Sequence, residues 1–268
     1  MGDSAVSSRE FNAKVGFLAF SLEWRLTLFT LLLTPALITL GFWQLERAEQ
    51  KQTLSEQHAF RATLPPITLD EAVQLSKQNL AELRDRRIAF SGTAVAQDYL
   101  LLDNRLNNGQ FGYEVIALIQ AGNYRVPVNL GWLPGDPARR ALPTVTLPIG
   151  EQQWMGRVYA PEDRAYTLGE QSPPDSLPAV IQSYEAAEYA GVLSAITAAP
   201  IPAFMVRVDS AHPAAWVADW PVINQTPEKH TAYAVQWFMM AAVLFCAFVL
   251  RSSNIGSLLL GRRPSKLP

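Results

Sequence analysis

Two apolar stretches, Trp24 to Trp43 and Ala232 to Leu250, bracket a long polar segment, and the only charge inside either is Arg25 at the edge of the first. A membrane-crossing helix needs roughly 20 apolar residues at about 1.5 Å rise each, and both stretches meet that length. Trp24 and Trp43 stand nineteen residues apart. That separation is about 28 Å along a helix, which places one indole in each interfacial belt. Tyr233, Trp237 and Arg251 frame the second stretch in the same way. The pattern predicts two transmembrane α-helices holding one large polar domain between them.

The short flanks set the expected orientation, because long translocated domains contribute little to the positive-inside rule. Arg251, Arg262, Arg263 and Lys266 follow the second stretch with no acid among them, whereas Arg9, Lys14 and Arg25 near the N-terminus are balanced by Asp3, Glu10 and Glu23. The chain therefore reads as a cytoplasmic tail (1–23), a first span (24–43), a periplasmic domain (44–231), a second span (232–250) and a basic cytoplasmic tail (251–268). The first span ends in Gly-Phe-Trp-Gln-Leu-Glu-Arg, not a small-x-small cleavage site, so it reads as an uncleaved anchor. Three acids among the first 23 residues argue against a mitochondrial transit peptide, and a bacterial inner (plasma) membrane is the expected location.

Composition narrows the function classes. Acids exceed Lys and Arg by six over residues 44–231, with no basic patch of the kind that binds nucleic acid. Cys246 is the only cysteine and lies inside the second span, which excludes an internal disulfide, thiol exchange at a Cys-x-x-Cys pair and covalent haem attachment at Cys-x-x-Cys-His. His58 and His212 are far apart in sequence, and no nucleophile elbow, zinc-protease motif or phosphate-cradling glycine loop is present. Glu162 and Asp163 form the nearest approach to a carboxylate pair and read as a solvated turn after Pro161. The chain does not read as an enzyme.

Residues Gln44 to Ala62 contain good helix formers without Gly or Pro, so the first helix is expected to project beyond the membrane. A helix is predicted over Asp70 to Arg86, with acids at its start and arginines at its end to complement the dipole. Period-two patterning then predicts strands at Ile88–Ala96, Tyr99–Leu102, Tyr113–Gln120, Tyr124–Leu133, Gln153–Ala160, Ala179–Tyr184 and Ala203–Val208, with a helix at Glu185–Ile196. Asn107-Asn108-Gly109 and Ala121-Gly122-Asn123 are hairpin turns by composition. The expected fold is two transmembrane α-helices flanking one α+β domain with a mainly antiparallel sheet or open barrel.

Polar and aromatic residues gather where the spans meet the domain. Trp43, Gln44, Arg47 and Lys51 lie just beyond the first span; Lys229, His230, Tyr233, Gln236 and Trp237 open the second. On a helix His230, Tyr233 and Trp237 fall at i, i+3 and i+7, one face. A histidine among rings suits a haem iron axially, with Arg47, Lys51 and Lys229 as cations for propionates. The same spacing also fits an ordinary N-terminal helix histidine with belt aromatics.

The string Gly41-Phe-Trp-Gln-Leu-Glu-Arg-Ala-Glu-Gln-Lys51 resembles the Gly-x-Trp-Gln-x-x-Arg-x-x-x-Lys signature of the surfeit locus protein 1 family. Leu102-Asp-Asn-Arg105, Gly112-Tyr113 and Val128-Asn-Leu-Gly-Trp-Leu-Pro134 resemble its central pattern, and His230-Thr-Ala-Tyr-Ala-Val-Gln-Trp237 its His-x-x-Tyr-Ala-x-Gln-Trp motif. Leu130 departs from the Arg that relatives commonly carry before Gly-Trp. The resemblance implies an assembly factor for a haem-copper oxidase of the cytochrome c oxidase type, binding haem a. His230 would be the iron ligand, with Tyr233, Trp237, Trp43 and Arg47 around the ring. Cytochrome c oxidase subunit I and haem A synthase would be the partners, alongside the lipid bilayer. An accessory structural subunit without a cofactor is the other expectation, and Asp103-Asn104-Arg105 with Trp132 to Gly135 also read as structural turns and core.

Overall fold

A 40-residue helix and a 21-residue strand carry most of the architecture. In the computed structural model, residues 10–15, 18–161, 172–221 and 225–256 are described. In chain order the elements are β1 (Glu10–Val15), β2 (Leu18–Glu23), α1 (Trp24–Thr63), α2 (Leu69–Gln78), α3 (Leu80–Leu83), β3 (Arg87–Asn107) and β4 (Gln110–Ala121). There follow β5 (Tyr124–Pro134), β6 (Glu151–Tyr159), β7 (Ala179–Ile181), α4 (Ala186–Thr197), β8 (Met205–Val208) and α5 (Pro227–Ser252). They form two units, one of Met1–Ser55 with Ile223–Pro268 and one of Glu56–Val222.

In the first unit, α1 and α5 are both long and apolar enough to cross a membrane, and only 17% and 11% of their most apolar windows are buried. A core helix of a soluble protein would be covered, so outward-facing Leu31, Leu32, Met239 and Val243 suit lipid. What is buried forms a narrow stripe: Thr30, Leu37, Gly41 and Ala48 on α1, and Ala234, Ala241 and Ser252 on α5. Small residues in such a stripe let two backbones approach closely, which is how helices associate where no hydrophobic effect drives them. Pro35 sits inside α1 without ending it, and the Thr39 hydroxyl donates to the Pro35 carbonyl at 2.9 Å.

The N-terminal segment, expected as a tail, contains the antiparallel hairpin β1–β2. The period-two alternation of Leu18-Ala-Phe-Ser-Leu-Glu23 carries that signal in the sequence. Phe20 bridges Ser253, the Ala19 N–H donates to Asn254 Oδ1 at 2.9 Å, and the Asn254 N–H donates to the Ala19 carbonyl at 3.1 Å. The flank before α1 and the flank after α5 therefore lie at one end of the helix pair.

In the second unit the predicted helix Asp70–Arg86 is divided at Asn79, whose φ of −154° is extended and whose side chain accepts from the Ala81 N–H at 3.1 Å. Asn competes with helix by this local bond, ending α2 and capping α3. Thr68 and Glu71 close a capping box at the start of α2. Backbone and hydroxyl bonds from Thr68 hold the Glu71 carboxyl below its ordinary range.

The two strands predicted from Ile88 to Leu102 are one, β3, bent at Gln97 (φ 69°) and Asn104 (φ 58°), where its register with β4 shifts. Both predicted hairpins form: Asn107 pairs Gln110 and Ala121 pairs Tyr124, each around a two-residue turn. Asn108 (φ 48°) and Gly109 (φ 77°) both take positive φ, as a type I′ turn requires. The six-stranded sheet has the order β4-β5-β8-β6-β3-β7, with β3 also paired to β4. The pairs β3–β4, β4–β5, β3–β6 and β6–β8 are antiparallel; β5–β8 and β3–β7 are parallel and join strands distant in sequence.

β4 is covered on both faces, with Val115 to Ile119 fully buried. Ala117 and Ile119 join Trp154, Leu130 and Phe204 in one cluster, while Ile116 and Leu118 join Leu193 and Tyr189 of α4 in another. Trp154 is fully buried with its indole N–H bonded to the Gly92 carbonyl at 3.0 Å, and next to it on β6 Met155 is 39% exposed. Trp154→Ala should cost about 3–5 kcal/mol, whereas Met155→Ala should cost less than about 1 kcal/mol. Thermal melts of the detergent-solubilised protein by circular dichroism compare the two.

Candidate functional site

Gly41, Gln44 and Ala48 follow one another at intervals of three and four on α1, one face of the helix. His230, Ala234 and Ala241 share a face of α5 at intervals of four and seven, and the two faces meet. The Gln44 side-chain oxygen stands 2.8 Å from His230 Nδ1. With the amide oxygen as acceptor, Nδ1–H is the donor of this bond, and Nε2 is the ring nitrogen that Gln44 does not engage. One turn deeper, Phe238 fills the space over Gly41: a Cβ at Gly41 would lie 2.6 Å from the Phe238 ring. Phe42 meets the same ring edge-on, with centroids 5.3 Å apart. Gly41 thus admits the ring that sits below the Gln44–His230 pair.

The other expected site residues are distributed around this pair. Tyr233 and Trp43 are half exposed, at 49% and 45%, and Trp237 is partly buried on α5. Arg47 lies over the Trp43 ring at 5.7 Å and donates to Gln50 at 2.9 Å. Among the described residues, Trp43 and Arg47 make no hydrogen bond, ion pair or ring contact with His230, Tyr233 or Trp237. Gln44, grouped in the sequence with Trp43 and Arg47 but given no role there, bonds His230, and Phe238 is the site neighbour that the sequence did not single out. The signal for Gln44 was its three-residue spacing from Gly41 inside the quoted string.

The remaining histidines are occupied within the second unit. His212 stacks on Trp154 at 4.6 Å, accepts the Ala214 N–H at Nδ1 and faces the Gln153 carbonyl with Nε2. His58 Nε2 accepts from Arg157 at 2.9 Å, and its Nδ1 lies 3.6 Å from Asp85. Among the described residues no group of three or more His, Cys, Asp or Glu is placed to hold a metal ion. Glu162 and Asp163 lie outside the described residues.

The central block forms a local scaffold. Arg139 donates to Asp103 and to Asn104, both at 2.8 Å, holding the bend in β3. The Trp132 indole is buried and donates to the Arg105 carbonyl at 3.1 Å. Burial, reinforced by the Asp103 charge, pushes the Tyr113 hydroxyl above its ordinary range. Leu130 is fully buried in the core, so the side chain that departs from the pattern meets no solvent.

The model of the SURF1 family matches residues 31–242. The chain belongs to the SURF1 family. That match takes in both helix-end blocks and the central block. The chain is also similar to a SURF1-like protein of Dictyostelium discoideum, at 30% identity over 104 residues, 37% of this chain and 38% of that protein. The chain thus spans well under half the length of this curated relative. The SURF1 family is generally known as one of cytochrome oxidase assembly factors, not of catalysts.

In this SURF1-family protein the Gly41–Phe238 approach is a steric constraint that can be tested. Gly41→Leu should destabilise the helix pair by about 1–3 kcal/mol through overpacking, and adding Phe238→Ala should recover part of the loss through coupling. The midpoint for loss of the helical circular-dichroism signal in detergent measures both; an unchanged midpoint in Gly41→Leu would remove the constraint.

Proposed function

We propose that this protein assists assembly of a haem-copper terminal oxidase of the cytochrome c oxidase type, holding haem a through His230 for insertion into oxidase subunit I. The observation that carries the reading is the Gln44–His230 bond at 2.8 Å inside two family blocks. Ligating histidines characteristically have their second ring nitrogen held by a hydrogen bond, which fixes the tautomer and aims the other nitrogen. Gln44 supplies that bond, so the imidazole fits the group. When bound, haem a would supply an iron for the His230 imidazole to hold.

The residues around His230 would share the remaining work. Trp43, Tyr233 and Trp237 would cover the apolar ring, and Arg47 would meet a propionate. One partly exposed histidine suits a carrier, which must release its cargo. Haem A synthase would supply the cofactor. The Arg251 flank supports cytoplasmic termini and a periplasmic central domain in a bacterial inner membrane, and the tie between Ala19 and Asn254 supports placing both termini on one side.

Protein purified from cells that make haem a should show a haem absorbance band. His230→Ala should lose it at undiminished protein abundance, and Gln44→Ala should bind about 10–100-fold more weakly, as loss of an orienting partner does. A full haem band in His230→Ala would sink the ligand assignment.

A further inference from the structure

A row of arginines crosses the sheet of the second unit: Arg87 of β3 faces Arg157 of β6, which faces Arg207 of β8, which faces the fully buried Asn129 of β5. Directly opposed residues lie on one face of a sheet, and like charges there destabilise unless something offsets them. Arg87 has Asp209 at 3.8 Å, and Arg157 has His58. Arg207 has no ion pair among the described residues. Its guanidinium lies 3.6 Å from the Tyr159 ring centroid and 5.0 Å from that of Trp220, its Nε is buried without a hydrogen-bond partner, and burial pulls it below the ordinary arginine range.

Arg207 lines a cleft of about 170 Å³ together with Arg105, Glu114, Tyr184, Glu185 and Met205. The acids there are engaged: Glu114 accepts from Asn129 at 2.6 Å and lies 3.7 Å from Arg105, and Glu185 has an interaction of its own. The Tyr184 hydroxyl is buried with no hydrogen-bond partner, whereas Arg105 Nε is the atom that faces Glu114 in the ion pair. Two donors of residues lining one cleft, Arg207 Nε and the Tyr184 hydroxyl, thus lack acceptors, and Arg207 makes no ion pair among the described residues. A buried polar group left unmatched is costly, so such a pair marks a site whose acceptor arrives from outside.

We propose that this cleft binds a carboxylate, with Arg207 as its cation and Arg105 and the Tyr184 hydroxyl as further donors. A single negative charge balances one unpaired guanidinium, and a planar carboxylate matches the guanidinium fork. A phosphate dianion would bring a second charge with no cation to meet it in a partly desolvated place. A cavity of about 150 Å³ holds a benzene molecule, so the cleft takes a small organic acid or the carboxylate end of a polypeptide. Leu102, Met205 and Pro161 supply apolar wall for the carbon next to it.

Calorimetric titration of the full chain in detergent and carboxylate-free buffer tests this, using propionate, a trialanine peptide with a free C-terminus, the same peptide amidated, and inorganic phosphate. Saturable binding of propionate or the free-acid peptide is expected, with the amide silent. Propionate binding identifies a free organic acid as a competent source; binding of the acid peptide alone identifies a polypeptide terminus. Arg207→Gln should weaken binding by about tenfold or more, the scale of one charge-assisted hydrogen bond, and Arg207→Lys should weaken it less. Tyr184→Phe should weaken it several-fold and decides the matter if the Arg207 variants do not fold. Arg140→Gln on the surface and His230→Ala should bind as the parent protein does, which separates this site from the haem reading. No binding by either carboxylate, equal competition by phosphate, or parental affinity in Arg207→Gln and Tyr184→Phe would overturn the proposal.

Discussion

Strand β3 is the member that the rest of the central domain is hung from. Its first residues, Arg87 to Thr93, pair with β6; from Thr93 onward it pairs with β4; and Leu100 to Leu102 also take β7 in parallel. A strand of 21 residues cannot serve such different neighbours while straight, since twist accumulates along a sheet. The bends at Gln97 and Asn104 resolve that demand, and the irregularities that re-aim β3 also decide which side chains face where. Leu100 and Leu102 pass under α4, while Arg105 reaches the cleft.

The same geometry explains what was legible beforehand. Helices α1 and α5 announced themselves through apolar length and interfacial anchors, Trp24 and Trp43 on the first and Tyr233, Trp237 and Arg251 on the second, and most strands through alternation. The two hairpins followed from Asn-Gly and Gly-Asn, because few other residues accept the required φ. Strand order was not legible, since β8 enters between β5 and β6 from far along the chain and no local signal encodes such pairing. The break at Asn79 also escaped, because helical periodicity runs across it and only the side-chain bond to Ala81 reveals it.

At the candidate sites the split is similar. His230 and its aromatic neighbours stood out by helical spacing and family resemblance, but the assignment of Gln44 needed the packing of two helices that are 186 residues apart at that bond. Arg207 had no signal of its own. In Met205-Val-Arg-Val208 an arginine between valines reads as the solvent-facing position of an edge strand. Only the sheet order, which gives β8 a neighbour on each side, turns it into a half-buried cation beside Asn129.

The contacts that Ala19 and Phe20 make with Ser253 and Asn254 concern the order of events during biosynthesis. Chains emerge from the ribosome N-terminus first, so the residues of β1 and β2 are made long before their partner residues. This clasp is among the last contacts to close, after both helices and the whole intervening domain have been made. A chain that stalls or misinserts ahead of residue 253 lacks it, and its amino-terminal strands are left with an unsatisfied edge open to proteolysis.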